Sequence, residues 1–150
     1  MPIPKKTPQK NQIRFWFLLL LVPVILTTLA GCAGNSAAVK VGIGETFTIG
    51  IDQTAQITDE EMAITFKEII GDSRCPKGVT CIWAGMASAR VTIVYKNDTY
   101  TIALNQPGLT SPVTETFFGF TLTYDIGPYP SAGEEITKKD YRLTVTVTKV

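Results

Sequence analysis

Two segments near the end of the chain, 120-FTLTYDI-126 and 141-YRLTVTVT-148, place an apolar side chain at every second position. Phe120, Leu122, Tyr124 and Ile126 alternate with Thr121, Thr123 and Asp125, while Tyr141, Leu143, Val145 and Val147 alternate with Arg142, Thr144, Thr146 and Thr148. Successive side chains of a strand point to opposite faces, so this period builds one apolar face and one polar face and fits no helix. The period recurs upstream. Phe47, Ile49 and Ile51 alternate, Ala55 and Ile57 follow Asp52-Gln53, and Ile64, Phe66 and Ile70 follow Asp59-Glu60-Glu61. Ala89, Val91, Ile93 and Tyr95 share a face, Asn97-Asp98 supplies a tight turn, and Tyr100, Ile102 and Leu104 share a face on the return, which reads as a hairpin. Thr58 followed by acids resembles a helix start, but the alternation of Ile64-Thr65-Phe66-Lys67 makes that stretch a turn and a strand. The expectation is an all-β domain: an antiparallel β-sandwich of seven or eight strands and immunoglobulin-like size, with a small closed barrel as the alternative.

The first thirty-one residues belong to a different regime. Lys5, Lys6, Lys10 and Arg14 come with no acid and precede the apolar run 15-FWFLLLLVPVILTTLAG-31, the layout of an export signal. A transmembrane helix needs about twenty apolar residues. This run is shorter, holds Pro23 and softens at Thr27, Thr28 and Gly31. It ends in 29-LAGC-32, which resembles a bacterial lipobox, and that resemblance implies cleavage before Cys32 and lipid on its sulfur. Residues 1–31 are then a lipoprotein signal peptide, 32–45 the lipidated cysteine and a flexible tether, and 46–150 one β-domain. Four of the fourteen Lys and Arg leave with the signal and all thirteen acids stay, so ten cations face thirteen acids and the net charge is −3. That balance gives no reason to expect nucleic acid as a partner.

Of three cysteines, lipid consumes Cys32 and leaves the pair Cys75 and Cys81 in an exported, oxidising setting, where a disulfide is expected. The surrounding segment, 72-DSRCPKGVTCIWAG-85, invites other chemistry, yet the chain contains no histidine. A nucleophilic thiol lacks its usual base, a Ser-His-Asp triad is impossible, and zinc lacks ligands. Dithiol exchange favours two intervening residues rather than five. The acids lack the spacing of a calcium loop, and 42-GIGE-45 lacks the helix that a phosphate loop requires. A bridge closing this short loop removes about 2 to 2.5 kcal/mol of denatured-state entropy. Pro76 and Gly78 turn the enclosed chain, Trp83 is placed to cover the bridge, and Asp72 and Arg74 either pair or cap the loop's amides.

The pattern D-S-R-C-P-x-x-V-x-C-x-W-A-G, with 129-YP-130 and 140-DYR-142, resembles a signature of small, uncharacterised bacterial lipoproteins and secreted proteins. The resemblance runs from about Phe47 to Val150. It implies a small β-domain in which Asp72, Arg74, Pro76, Trp83 and Gly85 are structural, and it carries no activity.

Surface features add little chemistry. The threonines at 92, 101, 121, 123, 144, 146 and 148 fit the outward side of strands better than a flat ligand- or ice-contacting array. Asn97-Asp98-Thr99 matches a glycosylation acceptor but reads as a turn. Phe117, Phe118, Tyr129 and Tyr141, near loops, are the candidates for contact with a partner. The expected function is a lipid-anchored, non-enzymatic binding or envelope-accessory module on the extracytoplasmic face of a bacterial membrane, without cofactor or metal. The alternative is a small secreted hydrolase or a protease-inhibitor-like protein.

Overall fold

The computed structural model describes residues 38–150. The expected signal peptide, Cys32 and the first part of the tether lie outside the described residues. Among the described residues, nine strands form two sheets. The larger contains β1 (Val39–Val41), β3 (Thr54–Ile57), β4 (Met62–Asp72), β5 (Met86–Tyr95) and β6 (Asp98–Pro107), in the order β1-β3-β4-β5-β6. The smaller contains β2 (Thr46–Gly50), β9 (Arg142–Lys149), β8 (Phe120–Gly127) and β7 (Val113–Phe117), in the order β2-β9-β8-β7. Both sheets keep open edges, so the fold is a sandwich and not a closed barrel.

The alternation found in the sequence sets the core. Ile64, Phe66, Val91, Ile93 and Leu104 face inward from the larger sheet and meet Phe47, Ile49, Leu122, Leu143 and Val145 from the smaller one. Burying each large aliphatic or aromatic side chain contributes about 1.5–3 kcal/mol. Outward from the smaller sheet, threonines pair across strands: Thr46 with Thr146 at 2.7 Å, Thr48 with Thr144 at 2.9 Å and Thr114 with Thr123 at 3.3 Å. Their hydroxyls bond one another, which is the ordinary use of threonine on a half-wet sheet face.

Three details differ from the sequence reading. Val39–Val41 is a strand, paired parallel to β3, so the domain begins before Thr46 and the tether is shorter than 32–45. Glu45 and Asp59 accept hydrogen bonds from the Gly42 and Ile43 amides, which ties the β1–β2 connection to the domain. The β5–β6 turn is Lys96-Asn97, both with positive φ, one residue earlier than Asn97-Asp98. Ile70 is half exposed, because bulges between Phe66 and Glu68 and between Ile69 and Gly71 break the period of β4.

The sandwich has two unlike ends. At the turn end lie the β3–β4, β5–β6 and β7–β8 connections, each short. At the loop end lie residues 73–85, 107–112 and 128–141, the long connections.

Candidate functional site

At the loop end, β4 finishes on Asp72 and the chain turns inward at Arg74, a guanidinium only 3 % exposed. Arg74 Nε and Nη2 donate to the two oxygens of Asp72 at 2.9 and 2.6 Å. Its remaining donors cross to the other sheet: Nη1 bonds the Ile126 carbonyl at 2.6 Å and Nη2 the Pro128 carbonyl at 2.9 Å. Tyr141, just ahead of β9, donates its hydroxyl to Asp72 at 3.1 Å, and the Tyr129 ring lies 4.9 Å from the guanidinium carbon. A buried ion pair is tolerable only when its hydrogen bonds are satisfied this fully. Burial pushes the Asp72 carboxyl up, but hydrogen bonds and charge from Arg74 outweigh it and hold the group below the usual carboxylate range. Burial and the neighbouring Asp72 charge raise the Tyr141 phenol. The arrangement is a clasp between the two sheets.

The cysteine loop hangs from this clasp. Cys75 and Cys81 are bridged, with Cα atoms 5.9 Å apart. Lys77 exchanges backbone bonds with Pro130 and Ala132, and the Tyr129 hydroxyl donates to the Gly108 carbonyl at 2.6 Å. Gly85 has φ 68, and a Cβ there would sit 1.8 Å from the Ser73 carbonyl oxygen. Asp72, Arg74 and Gly85 thus each make contacts that hold the loop in place, and the Pro76 carbonyl accepts the Val79 amide at 3.4 Å. Trp83 is different. It is 80 % exposed and does not pack over the bridge as a cover, and Ile82 beside it is 92 % exposed.

A second seam sews the sheets between β6 and β8. Gln106, buried, donates from Nε2 to Asp125 and accepts the Ile126 amide at 2.6 Å. The Tyr124 hydroxyl lies 2.9 Å from the Asn105 carbonyl and 2.7 Å from Glu115, and burial together with Glu115 raises its pKa far above the ordinary phenol value.

At the turn end, five rings gather. Phe117 and Phe118 come from the β7–β8 hairpin, Phe120 from the start of β8, and Tyr95 and Tyr100 from the β5–β6 hairpin of the opposite sheet. Phe118 lies 4.5 Å from Phe117, 4.7 Å from Tyr100 and 5.9 Å from Tyr95, centroid to centroid. Tyr95 meets Phe120 edge-on at 5.5 Å, and Tyr100 meets Phe117 likewise at 5.5 Å. Phe118 occupies the left-handed region, φ 46, where a bulky residue is uncommon and asparagine or glycine is at ease. Yet 53 % of it faces solvent.

The four aromatic residues expected to meet a partner therefore separate. Phe117 and Phe118 sit together in the turn-end cap. Tyr141 is 7 % exposed and Tyr129 half-buried, and both serve the clasp, so Tyr141 has no face left for a partner and Tyr129 little. Tyr95 and Tyr100 join the cap without having been singled out. The available signal was that two hairpins both carry aromatic residues at their turns. Ile82 and Leu109 likewise carry exposed apolar surface that the alternation rule does not address.

Among the described residues no three of Cys, Asp and Glu gather as a metal site would require. A notch of about 550 Å³ is lined by Gly50, Gln53, Lys67, Lys138 and Arg142 among others. Lys67 is already paired with Asp52, and Arg142 bonds the Lys139 and Tyr141 carbonyls. Comparison with protein families, with curated proteins and with solved structures finds no match to this chain.

Proposed function

We propose that the mature chain is a lipid-anchored, non-enzymatic envelope module on the extracytoplasmic face of a bacterial membrane, which binds a protein partner through the aromatic cap. The observation that carries the binding half is Phe118: a large ring placed half in solvent, at a backbone position that disfavours it, over three supporting rings. Strain of this kind costs about 1–3 kcal/mol and gathers at functional positions. Rigid aromatic anchors dominate protein interfaces. The anchoring half rests on 29-LAGC-32 after a basic and apolar leader.

Phe118→Asn separates binding from folding, because asparagine accepts the left-handed backbone while the ring is lost. In-cell cross-linking of the variant should lose the partner recovered with the parent chain, with a melting temperature equal or higher. Unchanged recovery ends the cap reading. For the anchor, Cys32→Ser should abolish acyl labelling and signal processing, and persistence of both would overturn it.

A further inference from the structure

Three strongly exposed apolar side chains gather at the loop end, opposite the cap. Ile82 is 92 %, Leu109 87 % and Trp83 80 % exposed, with Val79 and Met86 about half exposed. They belong to one tip. The Gly108 amide donates to the Gly85 carbonyl at 2.9 Å, and a Cβ on Gly108 would fall 2.0 Å from the Ala84 carbonyl oxygen. Trp83 and Leu109 therefore flank a single contact between two loops. The tip is held by the disulfide, the Arg74 clasp and the bond from Tyr129 to Gly108. Residues 73–85 and 107–112 contain no acid, and their charges are Lys77 and an Arg74 already neutralised by Asp72.

We propose that this tip is a second membrane contact, in which Ile82, Trp83 and Leu109 seat in the interfacial layer of the bilayer that carries the anchor. The proposal rests on the lipid-anchor reading. Two observations select a bilayer over a protein. Exposure this complete belongs to projecting side chains, which a bilayer accepts without a matching surface, and tryptophan favours its interface. The second observation is reach. Val39 pairs with Ala55, Ala55 with Ile64 and Ile64 with Ile93, so β1 starts level with Ile93 and runs toward the turn end. Met86, at the base of the tip, lies seven residues along β5 from that level, about 24 Å. From Cys32 to Val39 the chain also spans seven residues and reaches at most about 25 Å. Fully extended, the tether therefore brings Cys32 level with the base of the tip while β1 stays paired.

The two tryptophans of the chain are Trp16 and Trp83, and Trp16 leaves with the signal, so mature-chain fluorescence reports on the tip alone. Mature chain, its Cys32 acylation verified by mass, is reconstituted into vesicles of equal parts phosphatidylcholine and phosphatidylglycerol and floated. In the floated fraction, lipids brominated along the acyl chain should quench Trp83 severalfold, and acrylamide should quench it weakly. Ile82→Ser/Leu109→Ser, both changes at exposed positions, should still float but lose most of the bromolipid quenching. Floated chain with no bromolipid quenching overturns the inference while leaving the anchor intact. Trp83 shielded from acrylamide in native membranes yet unquenched by bromolipid shows a protein contact and overturns it too. Verified acylated chain that fails to float refutes the anchor reading and this inference with it.

Discussion

Gly85 shows how much one position of the cysteine loop is committed to the fold. Two demands meet there, a left-handed backbone at φ 68 and a carbonyl oxygen 1.8 Å from where a Cβ would stand. Gly44, at φ 82 with nothing within 4 Å, carries only the first demand. Alanine at Gly44 should cost about 1–2 kcal/mol, the torsional penalty alone. Alanine at Gly85 should cost about 3 kcal/mol or more, since the Ser73 backbone must also move. Chemical denaturation of the two variants checks the difference, and equal losses would mean that the close approach at Gly85 is relieved cheaply. Trp83, two residues away, is the contrary case, because its ring stands outside every packed layer. Its exposed ring adds little to the packing that holds the fold.

The clasp is an element-scale device: the end of β4 reaches across to the end of β8 and the start of β9 through Asp72, Arg74 and Tyr141. Removing one member of a buried pair leaves the other charge uncompensated, so Arg74→Met should cost about 3–5 kcal/mol. The acid limb has a definite sign. The folded Asp72 carboxyl titrates below its unfolded value of about 3.9, so its stabilisation is full above that pH and is lost as pH falls through the lower folded value. Thermal melts of the parent chain should therefore steepen their decline below about pH 4, and Asp72→Asn, less stable at neutral pH, should follow a flatter curve. Asp140, also lowered, chiefly by its bonds to Thr137, is present in both chains and cancels. Parallel curves would show that the clasp carries no proton linkage. Much of this was legible in the sequence, because strands with one dry face announce themselves by period two and the Asp72–Arg74 pair is two residues apart. The partners of the pair were not: Tyr141 and the Ile126 carbonyl are brought in only by sheet packing, across 69 and 52 residues. The edge strand β1 spans three residues, and β7, another edge, buries neither face fully, so neither shows a strong alternation. The burial of Tyr141, which leaves it no face for a partner, went unread for a related reason. Closeness to a loop says nothing about whether a ring turns inward.

At the scale of the whole molecule, the sandwich separates two surfaces of different character. The ten residues of β5 carry the distance between its ends, about 30 Å. Between them lies a continuous core with Ile49, Phe66, Ile93 and Leu143 at its centre, which leaves the aromatic cap and the apolar tip no shared side chain. Substitutions so far apart act independently when nothing couples them. The arrangement suits an anchored module: a tip that settles on the bilayer turns the cap away from it, toward whatever approaches from the envelope. Phe118→Asn should then abolish partner cross-linking and leave bromolipid quenching of Trp83 at the parent level. Ile82→Ser/Leu109→Ser should lose the quenching and retain the partner in detergent extracts, where no bilayer orients the domain. The combined variant should show both losses, with its change in melting temperature close to the sum of the separate changes. Loss of both readouts from either variant alone would mean that the two ends form one coupled surface, and the division of labour along the strands would have to be abandoned.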